Sequence, residues 1–305
     1  MNLYFLGTGA GMPSKRRNVT SIVLRLLEER GTLWMFDCGE GTQHQILHSP
    51  VRLSRLEKVF ITHLHGDHLY GLPGLLTSRA HTGGETPVTV YGPLGIEQYI
   101  KTVLELSQGR LTYELKIVEI QEGTIFQDEQ FTVEALKLEH RIDSYGYRIT
   151  EADRHGRLNA EALKERGIRP GPVYGTLKEG NDVVLPDGTT LFAADFLADP
   201  IKGKVVAILG DTRVCAHAEM LAQQADVLVH EATFSHELQE LAYKYGHSTA
   251  VEAAETAKRA NAKQLIVTHI SSRYDDGHGD PLLKEAQEIF PDVQMAKDFL
   301  DYPIV

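Results

Sequence analysis

The chain has 305 residues, of which 42% are hydrophobic and 24% are charged, the composition of an ordinary globular protein. Its 31 basic and 42 acidic residues give a formal net charge of −11, which argues against nonspecific nucleic-acid binding by the whole surface. Two cysteines, Cys38 and Cys215, are too few for a disulfide scaffold, and no signal peptide or long apolar run is seen, so we expect a cytoplasmic protein without membrane contact.

Short apolar runs that alternate with helical patterns predict an α/β fold. In chain order, the predicted strands are Leu3–Leu6, Ser21–Leu27, Leu33–Phe36, Lys58–Thr62, Val88–Tyr91, Gln130–Leu138, Lys204–Leu209, Val227–His230 and Gln264–Thr268. The predicted helices are Glu97–Leu106, Ala216–Gln224, Thr249–Ala260 and Pro281–Phe290. Two of the strands end in the same Thr-His pair, at residues 62–63 and 268–269, which indicates two related halves.

Residues 148–182 interrupt this pattern, because they are rich in Gly and Pro around a single short helical stretch near Asn159–Arg166. Seven basic residues oppose five acidic ones between positions 148 and 179, so this segment carries +2 and the rest of the chain −13. We expect a single domain over residues 1–305 with an inserted arm at about 148–182. From charge alone, the arm is either a solvated surface loop or a binding element.

The sequence HLHGDH follows directly on the fourth predicted strand and supplies four potential metal ligands. His63 and His65, two positions apart in extended backbone, point to the same side. Gly66 lets the chain turn, so that Asp67 and His68 can face a second point. Imidazole and carboxylate groups without a thiolate favour zinc in an open catalytic site.

Three further ligand candidates stand where predicted strands end. His140 closes FTVEALKLEH, Asp211 closes VVAILGD, and His269 closes LIVTH. Because active sites of open α/β sheets gather at strand ends, we expect these three side chains to meet the HLHGDH segment.

These residues resemble the metallo-β-lactamase superfamily and, within it, the ribonuclease Z family of tRNA 3′-processing endoribonucleases, over essentially the whole chain. The narrower family motifs are matched by Pro13–Asn18 (PSKRRN), His230–Thr233 (HEAT), His247–Thr249 (HST) and Gly171-Pro172. The resemblance implies an αββα sandwich of two mixed β-sheets flanked by helices, with a protruding tRNA-binding arm.

The resemblance also implies two zinc ions per subunit and a role for each site residue. One zinc is expected at His63, His65 and His140, the other at Asp67, His68 and His269, with Asp211 between them. Asp67 is the expected general base, although a purely coordinating role stays open. His247 is the expected proton donor to the leaving group, oriented by Glu231, and Asp37 is expected to orient a ligand histidine. The residues expected to contact RNA are Lys15, Arg16, Arg17, Asn18, Gly171 and Pro172.

The leading hypothesis is therefore a zinc-dependent endoribonuclease that removes the 3′ trailer from precursor tRNA, leaving a 3′-hydroxyl on the tRNA and a 5′-phosphate on the trailer. The resemblance further implies a homodimer. The alternatives are a hydrolase of the same superfamily that acts on a small phosphodiester or thioester, and an RNA-binding subunit without catalysis.

Overall fold

The computed structural model describes residues 1–274 and 281–305. Within these ranges the strands are β1 (Asn2–Gly7), β2 (Ser21–Leu26), β3 (Thr32–Phe36), β4 (Leu56–Phe60), β5 (Val88–Gly92), β6 (Leu115–Glu119), β7 (Gly123–Gln127), β8 (Phe131–Leu138), β9 (Ser144–Glu151), β10 (Val183–Val184), β11 (Thr190–Leu191), β12 (Val205–Leu209), β13 (Val227–Glu231), β14 (Leu265–Thr268), β15 (Val293–Met295) and β16 (Asp301–Pro303). The α-helices are α1 (Thr42–Leu47), α2 (Gly66–Leu69), α3 (Leu72–His81), α4 (Ile96–Leu106), α5 (Ala160–Glu165), α6 (Pro172–Lys178), α7 (Ala216–Ala222), α8 (Gln239–Tyr245), α9 (Ala250–Arg259) and α10 (Pro281–Ile289). Among these helices, none combines the length and the apolar character needed to cross a bilayer.

Most strands belong to two seven-stranded sheets. The first sheet has the order β16-β1-β2-β3-β4-β5-β6 and changes from antiparallel to parallel pairing at β3. The second has the order β15-β14-β13-β12-β9-β8-β7, with β12 to β15 parallel. Parallel strands place their carboxyl ends at one edge of a sheet, so each sheet presents a row of loops there.

The two sheets meet through aromatic side chains. Tyr147 of β9 packs its ring 5.3 Å from Phe60 of β4 and 5.9 Å from Phe36 of β3, between ring centroids. Its hydroxyl donates a 2.6 Å hydrogen bond to the carbonyl of Ile61. This contact satisfies the polar end of a fully buried ring and joins the sheets close to the end of β4.

Each sheet buries its other face against helices. Helices α1, α3 and α4 cover the first sheet, and α7, α9 and α10 cover the second. Helix α9 buries a face of four alanines, Ala250, Ala253, Ala254 and Ala257. It begins with a capping box, in which the Thr249 hydroxyl accepts from the backbone of Glu252 while the Glu252 carboxylate accepts from the backbone of Thr249. These layers are the predicted sandwich of two sheets flanked by helices.

A second compact unit comprises Asp128–Thr132 and Thr150–Lys204, whereas the remainder of the chain forms the first. The second unit holds α5, α6 and the two-stranded sheet β10-β11 around buried Leu163, Leu177 and Phe196. The Asn159 side chain caps α5 at the backbone of Ala162. The stretch 148–182 predicted as an arm lies almost entirely within this unit, which continues to Lys204.

The nine predicted strands and four predicted helices of the core are confirmed, with bounds that differ by at most two residues. The largest shift among the strands is at β4, which ends at Phe60 rather than at Thr62. The backbone N–H of Thr62 donates instead to the Asp37 carboxylate at 2.8 Å, so the chain leaves the sheet two residues early. Strands β6 and β7 were not predicted because they are half exposed and lack a continuous apolar run. Helix α6 was also missed, since its Pro and Gly residues read as a loop.

Candidate metal centre

All seven predicted metal ligands converge at the carboxyl ends of strands. His63 and His65 follow β4, and Asp67 and His68 lie in the short helix α2 that begins at Gly66. The remaining three, His140, Asp211 and His269, follow β8, β12 and β14. Among the described residues, the ligand atoms of one set, His63, His65, His140 and Asp211, lie within 4.8 Å of one another, and so do those of a second set, Asp67, His68 and His269. A third group of the same size limit, Asp211, His247 and His269, shares one residue with each of these two sets.

Three histidines of the first set point one nitrogen each at a common centre. His65 Nδ1 lies 3.1 Å from His63 Nε2 and 3.2 Å from His140 Nε2. In the second set, His269 Nε2 lies 3.3 Å both from His68 Nε2 and from an Asp67 carboxylate oxygen. The predicted pairing of HLHGDH with distant strand ends is therefore present in the geometry.

Asp211 lies between the two sets. One of its carboxylate oxygens is 3.6 Å from His63 Nε2 and 3.3 Å from His269 Nε2, and the other is 3.4 Å from His68 Nε2. It is almost completely buried, with 3% of its surface exposed. A carboxylate in this position can reach two cations at once, which is the arrangement predicted for it.

The outer nitrogen of each of four histidines has a partner that sets its tautomer. His140 Nδ1 lies 2.6 Å from the carbonyl of Gly246, to which it can only donate. His68 Nδ1 lies 2.7 Å from the Asp37 carboxylate, which is the contact that the predicted role of Asp37 requires. Because the outer nitrogen carries the proton, the inner nitrogen presents its lone pair to the centre, as in metal-ligating histidines.

Two threonine hydroxyls serve the other two histidines in the same way. The Thr62 hydroxyl donates to Asp37 at 2.8 Å and lies 3.0 Å from His63 Nδ1. The Thr233 hydroxyl donates to Glu231 at 2.5 Å and lies 2.9 Å from His269 Nδ1. Since each hydroxyl proton is given to a carboxylate, its oxygen is left to accept the proton of the imidazole.

The two halves of the molecule thus repeat one device with Asp37 and Glu231 at its centre. Asp37 accepts hydrogen bonds from the backbone N–H of Thr62, from the Thr62 hydroxyl and from His68. Glu231 likewise accepts from the backbone N–H of Thr212, from the Thr233 hydroxyl and from His247. Asp37 holds a left-handed backbone conformation, φ 58°, and so does His269, φ 56°. Such strain in residues other than Gly persists only where surrounding contacts enforce it, and it concentrates at functional sites.

His247 lies beside the cluster, directly before the residues that open α9. Its Nδ1 is 3.0 Å from the buried Glu231 carboxylate and 3.8 Å from Asp211. Burial alone lowers the pKa of His247, but the charge of Glu231 and the hydrogen bond to it outweigh burial and raise the pKa to about 9. His247 therefore carries a proton at neutral pH while keeping about a sixth of its side chain exposed.

The electrostatics of the cluster fit a divalent cation. Burial lowers the pKa of His63, His65 and His140, which leaves these imidazoles neutral, as metal ligands must be. One ring nitrogen of His63 and one of His140 lie within hydrogen-bond distance of His65 Nδ1, an arrangement that a shared cation would stabilise. Burial lowers the pKa of His68, but the carboxylates of Asp211, Asp37 and Asp67 outweigh it and raise the pKa well above its usual value. The same carboxylate charge that attracts a second proton to His68 would attract a cation in its place. The donor set, imidazoles and carboxylates without a thiolate, suits a divalent transition metal.

The loop predicted to contact RNA divides into exposed and buried residues. Lys15 and Arg16 are exposed, and Asn18 bonds its side-chain amide to the carbonyl of Glu40 at 2.9 Å. Arg17 is buried instead, and its guanidinium donates to the Thr8 hydroxyl at 2.7 Å and to the carbonyl of Ala296 at 2.6 Å. The RNA contact predicted for Arg17 stays a prediction, and within the structure its guanidinium holds the loop in place.

Gly171 and Pro172 stand at the start of α6 in the second unit, both exposed. Pro172 occupies the first turn of that helix, where its missing N–H costs no hydrogen bond. Exposure leaves both residues accessible to a ligand.

Sequence reasoning missed two residues that border the site. Thr233 belongs to the quoted HEAT motif, but its hydroxyl was given no role, because its partner His269 is 36 positions away. Tyr70 follows α2 and carries no motif. Only the structure reveals it, because a Cβ at Gly66 would lie 2.2 Å from Cε2 of Tyr70.

Comparisons with known proteins agree with this geometry. The family model described as Anti-Pycsar protein Apyc1 matches residues 1–157. A protein named Ribonuclease Z from Bacillus licheniformis is 56% identical over 304 residues, covering 100% of this chain and 99% of that protein. Its namesake from Geobacillus kaustophilus is 55% identical with the same coverage.

Two solved structures share the fold. The short form of human tRNase Z is 31% identical with a TM-score of 0.73, and the match covers 100% of both chains. The metallo-β-lactamase fold protein YhfI from Bacillus subtilis is 20% identical with a TM-score of 0.69, and the match covers 99% of this chain and 98% of that one. The fold class predicted from the sequence is thereby confirmed.

Proposed function

The chain belongs to the ribonuclease Z family and, over residues 1–157, to the family described as Anti-Pycsar protein Apyc1, and we propose that it is a zinc-dependent endoribonuclease for precursor tRNA. It removes the 3′ trailer by hydrolysis of one phosphodiester bond. The observation that carries the chemistry is the convergence of seven candidate ligand side chains at one edge of the sandwich, with His247 held by Glu231 beside them.

Two zinc ions are the proposed cofactor. His63, His65 and His140 would hold one ion, and Asp67, His68 and His269 the other, with Asp211 shared. Bound there, the metal pair would polarise the scissile phosphate and lower the pKa of a water molecule toward about 7. The neutral state of the three histidines in the first set supports this assignment.

Asp67 is the proposed general base. Its carboxylate accepts the backbone N–H of Gly11 at 2.7 Å, which holds one oxygen in place. Burial raises the pKa of Asp67, but the charge of His68 and the nearby His269 outweigh it and lower the pKa, so the carboxyl is ionised. It can therefore take the proton of the attacking water.

His247 is the proposed general acid. The new bond forms between the water oxygen and phosphorus, and the bond from phosphorus to the 3′-oxygen of the tRNA breaks. His247 donates its proton to that leaving oxygen, and Glu231 positions the imidazole and keeps it protonated until then. The products are a 3′-hydroxyl on the tRNA and a 5′-phosphate on the trailer.

RNA contacts are proposed at two places. Lys15 and Arg16 form an exposed basic pair on the loop that precedes β2, and the second unit carries exposed Lys164, Arg169 and Lys178. Charges of this kind bind the phosphate backbone by shape and charge rather than by base identity. They offset the net charge of −11, which by itself repels RNA.

We further propose that the protein is a cytoplasmic homodimer. Both cysteines are buried and free, which suits a reducing compartment. The family resemblance supports the dimer, in which the arm of one subunit reaches the tRNA bound at the other. Light scattering at the enzyme's working concentration tests it, since a monomer that still cuts precursor tRNA contradicts the proposal.

The decisive experiment is incubation with a precursor tRNA that bears a 3′ trailer, followed by mapping of the new 3′ end to the nucleotide. We expect a single cut with a 3′-hydroxyl, abolished by a chelator and restored by zinc. Asp211→Ala is the matched variant, because it removes the carboxylate shared by both ligand sets. Unchanged turnover in this variant would remove the case for metal-dependent catalysis.

The alternative function is hydrolysis of a small phosphodiester. A variant that lacks the basic residues of the second unit distinguishes it from the proposed function. Replacing Lys164, Arg169 and Lys178 by Ala leaves the buried core of that unit intact. The triple variant should weaken cleavage of precursor tRNA and spare a small chromogenic diester. Equal loss of both activities would count against an arm devoted to tRNA.

A further inference from the structure

A cavity of about 340 Å³ opens beside Asp67. Its walls include Met12 from the loop after β1, Glu40 from the loop after β3, and Tyr70 from the end of α2. The volume is in the range of about 300–1,000 Å³ that small-molecule sites occupy. Because Asp67 forms part of the wall, the cavity adjoins the proposed catalytic base.

Tyr70 presents an aromatic ring to this cavity on a rigid support. A Cβ at Gly66 would lie 2.2 Å from Cε2 of Tyr70, so the ring rests directly on the backbone between His65 and Asp67. Even so, 65% of the surface of Tyr70 is exposed. A ring supported from one side and open to solvent is the surface on which a nucleobase stacks.

The charges around the cavity favour a base over a phosphate. Glu40 and Asp67 both carry carboxylates, and no Lys or Arg is found among the described residues that line the cavity. Carboxylates repel phosphate oxygens but accept hydrogen bonds from the amino groups of bases. Met12, with 65% of its surface exposed, adds a polarisable thioether that packs well against aromatic rings.

We propose that this cavity is a base subsite, formed by Met12, Glu40 and Tyr70, that takes one nucleobase of the RNA next to the scissile phosphate. The base stacks on the Tyr70 ring. The inference rests on the proposed function, because it requires an RNA substrate cut at the metal centre. A base in this cavity belongs to a nucleotide flanking the cut, since the cavity shares Asp67 with the reacting groups.

The experiment is a cycle that combines a protein change with a substrate change. The protein carries Tyr70→Ala, and Tyr70→Phe is the conservative control. The substrate is a precursor tRNA with an abasic nucleotide placed immediately 5′ or immediately 3′ of the cut. Bound metal and the unfolding temperature are measured for each variant, to show that the centre is intact.

We expect Tyr70→Ala to lower kcat/KM on the intact precursor by about 5- to 100-fold, the usual effect of losing one base stack. Tyr70→Phe should restore most of this loss because it keeps the ring. One of the two abasic substrates should lose a similar factor with the wild-type protein. That substrate should lose nothing further with Tyr70→Ala, because both changes remove the same contact.

Two results would overturn the base subsite. The first is that neither abasic nucleotide changes kcat/KM of the wild-type protein. The second is that, for both abasic substrates, the fold-loss caused by the substrate and the fold-loss caused by Tyr70→Ala multiply in full when the two changes are combined. The abasic substrates test the wild-type protein, so the outcome stands even if Tyr70→Ala does not fold. Failure of the wild-type protein to cut the intact precursor is a separate result. It would refute the proposed function, and the base subsite would then have no RNA substrate to bind.

Discussion

Replacing Thr233 by valine tests the hydroxyl that joins the proposed acid to the metal centre. This hydroxyl donates to Glu231 at 2.5 Å and lies 2.9 Å from His269 Nδ1. The hydroxyl also lies 3.0 Å from the carbonyl of His269. Valine has nearly the same shape, so the change removes these three polar contacts and leaves the packing in place.

The expected loss of stability and of metal affinity follows from the polar groups that the substitution leaves without a partner. Counting contacts among the described residues, Glu231 loses one of its three partners and His269 loses the single partner of its Nδ1, and both groups are buried. A buried polar group without a partner costs about 1–3 kcal/mol, so we expect the free energy of unfolding to fall by about 2–4 kcal/mol. Metal affinity should fall by about 10- to 100-fold, the usual effect of removing the partner of a ligand histidine.

The chain offers a matched control at Thr268, which directly precedes His269. Its hydroxyl is buried, and the described part of the chain provides it with no hydrogen-bond partner. Thr268→Val should therefore leave metal affinity unchanged and stability unchanged or higher. Thr233→Ser keeps the hydroxyl and should restore most of the metal affinity.

Zinc affinity is measured by competition with a chromogenic chelator, and stability by denaturant unfolding with and without zinc. If Thr233→Val and Thr268→Val bind zinc equally well, the hydroxyl does not set the tautomer of His269. The repeated device around Asp37 and Glu231 would then be a packing feature.

Three further predictions concern the acid, the sheet and the second unit. His247→Ala should lower kcat on precursor tRNA by about 10²- to 10⁴-fold while both ligand sets still bind zinc, and full activity would remove His247 as general acid. Burial raises the pKa of Glu57, but hydrogen bonds from Lys58, Trp34 and Thr32 outweigh it and lower the pKa. The ionised Glu57 therefore stabilises the fold above about pH 4.5, and this contribution is lost as the pH falls through the lower pKa of the folded state. Glu57→Gln should make the free energy of unfolding depend less steeply on pH below about pH 4.5. An unchanged pH dependence would show that other carboxyls dominate. Alanine at all three basic positions of the second unit (Lys164, Arg169, Lys178) should reduce the dependence of tRNA affinity on salt, whereas alanine at three exposed basic residues of the first unit (Lys101, Arg110, Lys116) should not.

Much of the candidate metal centre could be predicted, because its candidate ligands directly follow strands. The HLHGDH segment needs only an extended backbone and one turn to present four ligands, and His140, Asp211 and His269 each end an apolar run. Apolar runs bury themselves as strands, so the polar residue after each run comes out at a sheet edge. Nine strands and the seven candidate ligands were accessible to this reasoning, whereas the arrangement of the strands as a sandwich was an implication of the family resemblance.

What the tertiary structure decided were the partners of groups distant in sequence. The repeated Thr-His pairs suggest equal roles for Thr62 and Thr268, yet the structure gives the second role to Thr233, just after the neighbouring strand β13. Arg17 stands in a basic run that reads as a surface, but the fold brings the hydroxyl of Thr8 and the carbonyl of Ala296 to its guanidinium. Spacing along a chain determines which face a residue occupies, whereas a hydrogen-bond partner is determined by which strands the fold sets side by side.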